Sequence, residues 1–161
     1  MSISSTNIFL YGKGVFTTVA ICDRQPFLWE KHWQRLCNNA KTVGIDLSAY
    51  SEKEILDQLA ESIENDGIVN GRARLTFTDE SPSPIWSSEP TTKTSLHVIT
   101  GDLRPVPDEF RLTVSPYPVN SRSPLAEVKS CNYLENLLAV EEAKTRGFHE
   151  AVRLNEHGHI T

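Results

Sequence analysis

The 161-residue chain is 39% apolar and 23% charged, with a formal net charge of −5, the composition of a globular chain long enough to bury a core. Net negative charge without a basic block interleaved with aromatics argues against nucleic acid as a partner, and no apolar stretch reaches the length of a membrane span. Three cysteines (Cys22, Cys37 and Cys131) with no Cys-x-x-Cys spacing argue against a disulfide framework and a structural zinc site. Met1 to Asn7 carry neither a basic segment nor an apolar one of the kind that opens a secretory leader, so a cytoplasmic location is expected.

Ile8-Phe9-Leu10 is a short apolar run closed by Tyr11-Gly12-Lys13-Gly14, where two glycines permit a tight turn. Val15 to Cys22 is β-branched and aromatic. Asp23-Arg24-Gln25-Pro26 reads as a turn into Phe27-Leu28-Trp29, giving a hairpin. From Glu30 to Val43 the apolar positions Trp33, Leu36, Cys37, Ala40 and Val43 recur at helical spacing, with Gly44 as the stop. Ser51 followed by Glu54 is a capping-box pattern, opening a second helix through Ile55, Leu56, Leu59 and Ile63. Arg72 to Thr78 alternates as a strand. Asp79 to Thr94 is Ser/Pro/Thr-rich and reads as a surface loop, with Trp86 pinned against the body. Leu96 to Thr100 and Phe110 to Ser115 are further strands.

Pro116, Pro118 and Pro124 disfavour helix and mark residues 116–124 as an extended connector between domain 1–115 and a segment 125–161. Beyond it, Lys129 immediately precedes an apolar-periodic helix through Leu134, Leu137 and Leu138, closed by Gly147. Ala151 to Leu154 is then a strand, and Asn155-Glu156-His157-Gly158 a turn. A lysine at such a junction sits in a cleft, where partial desolvation favours the neutral amine that attacks carbonyls; a lone lysine is more often a solvated surface charge. The histidines flanking Gly158 read as turn residues, with no metal expected. The chain stops one residue or so into a returning strand, which leaves ladder groups without partners and leads to the expectation of a fragment.

Four separated segments together resemble the fold-type IV (class IV) pyridoxal-phosphate enzymes, which include branched-chain and D-amino-acid aminotransferases and aminodeoxychorismate lyase. They are Tyr11-Gly12-Lys13-Gly14-Val15-Phe16-Thr17-Thr18, His32-Trp33-Gln34-Arg35-Leu36, Lys129-Ser130-Cys131-Asn132-Tyr133-Leu134-Glu135-Asn136 and Gly158-His159-Ile160-Thr161. The resemblance covers roughly the first three-fifths of such an enzyme. It implies an α/β fold: a two-layer amino-terminal domain with a mixed sheet, then the opening part of a second α/β domain, with the active site between them. It also implies a homodimer acting on small amino or oxo acids, without membrane or nucleic acid.

Carried over residue by residue, the resemblance makes Lys129 the lysine that forms a Schiff base with the aldehyde of pyridoxal 5′-phosphate. Arg35 becomes the contact to its phosphate, and Tyr133 the partner of its ring oxygen. For Tyr133 a core aromatic at a helix start is an equal reading, and for Arg35 the plain alternative is a solvated helix residue. Arg74 has a counterpart on the substrate side of some relatives, but strand alternation is taken to place it in solvent. His32 is read as packing near Arg35. Tyr133 leans toward transaminase chemistry and Phe16-Thr17-Thr18 toward the lyase, where branched-chain enzymes carry Phe-Glu-Gly. The family glutamate that pairs with the pyridine nitrogen would follow Thr161, so these 161 residues alone are expected not to bind the cofactor productively. The alternative function is therefore a non-catalytic module of such an enzyme.

Overall fold

A computed structural model describes residues 5–83, 90–103 and 105–161, so Trp86 lies outside the described residues. The chain divides into two compact units, Met1–Arg104 with Lys129–Cys131, and Pro105–Val128 with Asn132–Thr161.

In the first unit the apolar run around Phe9 forms the short helix α1 (Asn7–Tyr11), stopped by Gly12 at φ 63°, a left-handed conformation that a side chain would strain. β1 (Gly14–Cys22) then pairs with β2 (Gln25–Pro26) across a two-residue turn, Asp23 and Arg24, both at positive φ. The returning arm is shorter than the sequence suggests. Pro26 has no N–H to continue a ladder, Phe27 N–H makes a last bond to Ala20 C=O at 2.8 Å, and Trp29 already begins α2 (Trp29–Val43). Gly44, at φ 70°, stops α2.

α3 (Glu52–Asn65) starts at the full capping box: Ser51 accepts from the Glu54 N–H while the Glu54 carboxylate accepts from the Ser51 N–H. Its Ile55, Leu59 and Ile63, spaced four apart, are buried. β3 (Gly71–Asp79) and β4 (Thr94–Asp102) complete a sheet ordered β2-β1-β3-β4. The mixed sheet expected here is corrected in that detail: every named pairing of this sheet is antiparallel.

The register sets Thr17 opposite Leu75, and Leu75 opposite Val98. One face of β1 therefore carries Val15, Thr17, Val19 and Ile21, and the matching face of β3 carries Ala73, Leu75 and Phe77. All are at most 1% exposed and form the core with Leu36, Ala40, Ile55, Leu59 and Ile63. Each fully buried Leu, Ile or Phe contributes about 1.5–3 kcal/mol of transfer free energy. Phe77 is the hub of the aromatic contacts, with Tyr50 at 5.0 Å and Trp33 at 6.4 Å, both edge-on. At the end of β3 the fully buried Asp79 binds Lys13 at 2.8 Å and accepts from Asn7, Thr91 and the Ser81 N–H.

The second unit holds β5 (Leu112–Val114) and β6 (Glu150–Val152) as a parallel pair, connected by a segment that includes α4 (Leu134–Thr145). The helix expected to bury its leucines instead buries the small Ala139 and Ala143, and leaves Leu134, Leu137 and Leu138 exposed. Arg153 is buried and fully engaged. Its guanidinium donates to the Tyr117 and Pro118 carbonyls, to Asn136 Oδ1 and to Glu135, which ties residues 117–118 to the first turn of α4.

Candidate active site

Lys129 does not travel with its sequence neighbours. Residues 129–131 lie along the start of β1: the Phe16 N–H donates to the Lys129 carbonyl (2.9 Å), the Cys131 N–H donates to the Gly14 carbonyl (2.8 Å), and Val15 faces Ser130 in an antiparallel bridge. The lysine backbone is thus sheet-borne. Its ammonium lies over the Phe16 ring, 4.4 Å from the centroid, and the residue is half-buried.

Arg74 shares that ring. Its Cζ stands 3.6 Å from the Phe16 centroid, and its Nε donates to Thr76 Oγ1 at 3.3 Å. The expectation that alternation sends Arg74 into solvent is therefore corrected. Arg74 pairs with Thr18, one residue past Thr17, on the face of the sheet away from the aliphatic core, and Phe16 is buried there at 2% exposure. Cys131 belongs to the same cluster: burial pushes its thiol pKa up, and the charge and hydrogen bond of Arg74 oppose that only in part.

The adjacent position on β1 serves a second group. Arg35, exposed on α2, donates from Nη2 to the buried Thr17 Oγ1 at 2.5 Å, and that nitrogen lies 3.3 Å from His32 Nδ1. Thr17 Oγ1 is 2.7 Å from the same His32 nitrogen. The consistent assignment has the arginine donating to the hydroxyl and the hydroxyl donating to a neutral imidazole. Burial, then the Arg35 charge, lowers the His32 pKa, which keeps that ring neutral. His32 packs beside Arg35 as the sequence suggests. Phe16 and Thr17 are consecutive in a strand, so the groups holding Lys129 and Arg35 leave β1 on opposite faces. Tyr133, in the second unit, is the residue immediately ahead of α4.

The amino-transferase class IV family pattern matches residues 14–161. The chain belongs to the class IV aminotransferases. A relative from Methanocaldococcus jannaschii, provisionally named a branched-chain-amino-acid aminotransferase, is 29% identical over 94% of this chain and 53% of its own length. Among solved structures, a Legionella pneumophila protein provisionally named 4-amino-4-deoxychorismate lyase superposes with a TM-score of 0.87 at 26% identity, covering 99% of this chain and 58% of the other. The branched-chain aminotransferase of the thermophilic archaeon Thermoproteus uzoniensis, solved with norvaline, gives a TM-score of 0.83 at 23% identity, covering 99% and 57%, and shares the fold. This class IV chain spans about half the length of the curated relatives it matches.

Two polar contacts are not visible in the sequence. Thr17 reads only as part of the Phe16-Thr17-Thr18 segment, yet its hydroxyl joins Arg35 to His32. Asp79 reads only as the start of a loop, because its partners lie at positions 7, 13, 81 and 91. Among the described residues no helix is long and apolar enough to cross a membrane.

Proposed function

We propose that the protein performs pyridoxal-phosphate-dependent chemistry on amino groups, with Lys129 as the amine that holds the cofactor aldehyde. The donor chemistry of these residues suits such a group. A primary amine is fixed by two backbone hydrogen bonds beneath it, and a solvent-facing guanidinium is fixed by Thr17, so an aldehyde and a phosphate each find a matching donor. When bound, the cofactor supplies an electron sink for charge developing at the substrate α-carbon. Lys129 would hold the aldehyde and carry the α-proton. Arg35 would hold the phosphate, and Tyr133 the ring oxygen. Arg74, seated on Phe16 beside the lysine, would face the substrate acid.

The observation that carries this reading is the placement of Lys129 on β1, with its ammonium on a buried aromatic ring. Two outcomes share the first steps: an aminodeoxychorismate lyase of the folate pathway, releasing pyruvate and 4-aminobenzoate, or an amino-acid aminotransferase. In the protein expressed from its gene, pyruvate release from aminodeoxychorismate supports the first outcome. Glutamate formation from 2-oxoglutarate supports the second, and the absence of both refutes the proposal. The exposed Leu134, Leu137 and Leu138 of α4 support a homodimer as the working form. A second reading, favoured by the match to 53% of the length of the Methanocaldococcus relative, is that these 161 residues by themselves are a folded module of such an enzyme without turnover. A cofactor absorbance band with measurable turnover in the isolated chain would contradict that.

A further inference from the structure

Gly14 stands where the lysine-bearing segment meets the sheet. A Cβ built on it would lie 2.7 Å from Cys131 Sγ, 3.0 Å from Ile8 Cδ1 and 3.1 Å from the Phe77 carbonyl oxygen. Gly14 is not among the glycines at positive φ, so space, and not backbone conformation, is what a side chain there would lack. Cys131 is also hydrogen-bonded by Arg74, which itself rests on Phe16. Residues 129–131 are grouped with the first unit while the chain on both sides of them is grouped with the second, so their placement depends on this short ladder with β1.

We propose that Gly14 is a positioning residue for Lys129: its missing side chain lets Cys131 lie flat against β1, and that close approach holds the two backbone bonds which seat the ammonium on Phe16. The proposal rests on Lys129 being the reacting amine, and extends it to the residue that aims it. A methyl group at Gly14 drives Cys131 outward, opens the Cys131–Gly14 and Phe16–Lys129 bonds in turn, and lets the amine leave the ring.

The test compares the full chain, Gly14→Ala, Cys131→Ala and the double variant by two readouts. One is amide exchange at Phe16 and Cys131. The other is competitive labelling of Lys129 by trinitrobenzenesulfonate, with the exposed Lys31 and Lys41 as internal references. Gly14→Ala should speed exchange at both amides by about tenfold or more and raise relative labelling of Lys129 about threefold or more. Cys131→Ala alone should change neither. The double variant should return both to within about twofold of the parent, because the closest atom is gone, Ile8 offers a flexible chain end and the Phe77 carbonyl need yield only slightly. Unchanged readouts in Gly14→Ala, or a double variant that behaves like the single one, overturn the proposal.

If Gly14→Ala does not fold, the parent chain decides. Its two amides must exchange about tenfold slower or more than in an unstructured peptide of the same sequence, and Lys129 must label more slowly than Lys31. Free exchange at both overturns it. Failure of the cofactor reading shows elsewhere, as the absence of reducible cofactor on Lys129, and leaves these ratios unmoved.

Discussion

Replacing Asp79 by asparagine removes a charge whose cost can be worked from its surroundings. Burial alone would push this carboxyl up, but the Lys13 ammonium, the Ser81 hydroxyl and N–H and the Thr91 hydroxyl outweigh it and hold the pKa at about 2, against an ordinary 3.8. A difference of about 1.8 units corresponds to about 2.5 kcal/mol. Because the folded value is the depressed one, that stability is fully present above 3.8 and is lost as pH falls through about 2. Breaking a buried pair costs about 3–5 kcal/mol when the orphaned partner stays buried. The Lys13 side chain is 22% exposed and can turn to water, so about 2–4 kcal/mol is expected at neutral pH.

The assay is urea unfolding followed by tryptophan fluorescence, since Trp29 and Trp33 stack in the same unit at 6.2 Å. The midpoint of Asp79→Asn should fall by about 1 M or more near pH 7, and the gap from the parent should narrow as pH falls below 3.8 toward about 2. A gap of equal size at both pH values, or no loss near neutrality, would refute the reasoning.

Ser51→Ala removes the hydroxyl that accepts from the Glu54 N–H, keeps the backbone half of the α3 capping box, and should cost about 1 kcal/mol in the same unfolding assay. Thr17→Val should leave Arg35 without its anchor and weaken phosphate binding about fivefold, measured by calorimetry with inorganic phosphate. The His32 ring should titrate below its ordinary 6.5, and Arg35→Ala should move that value upward by removing one of its two causes, as read by NMR of the imidazole. The sign follows from the depressed value: the contribution of the neutral ring is complete above 6.5 and is lost as pH falls through the lower folded value.

Much of this fold was legible locally. The helical spacing of Leu36, Ala40, Ile55, Leu59 and Ile63, the Ser51–Glu54 box and the Gly44 stop act within a few residues of sequence, and the structure reproduces each. The short β2 arm was less visible, since the Trp29 ring suits a strand as well as a helix start, and only Pro26 and the left-handed Leu28 decide between them. The buried face of α4 was misread because leucine spacing marks an apolar stripe without saying whether anything covers it. Arg74 could not be placed by alternation alone. Alternation assigns it a face, but only the Phe16 ring contributed by β1 turns that face into a site. Asp79 and Thr17 act through partners that the fold brings from distant positions, and no spacing rule reaches those.

The central claim concerns a single amine, and it has a direct measurement. The protein expressed from its gene is mixed with pyridoxal phosphate, reduced with borohydride and digested, and the modified peptide is identified by mass spectrometry. The phosphopyridoxyl group should be found on Lys129 and should be lost in Lys129→Ala. Modification spread over exposed lysines such as Lys31 and Lys41, with Lys129 untouched, would contradict the account.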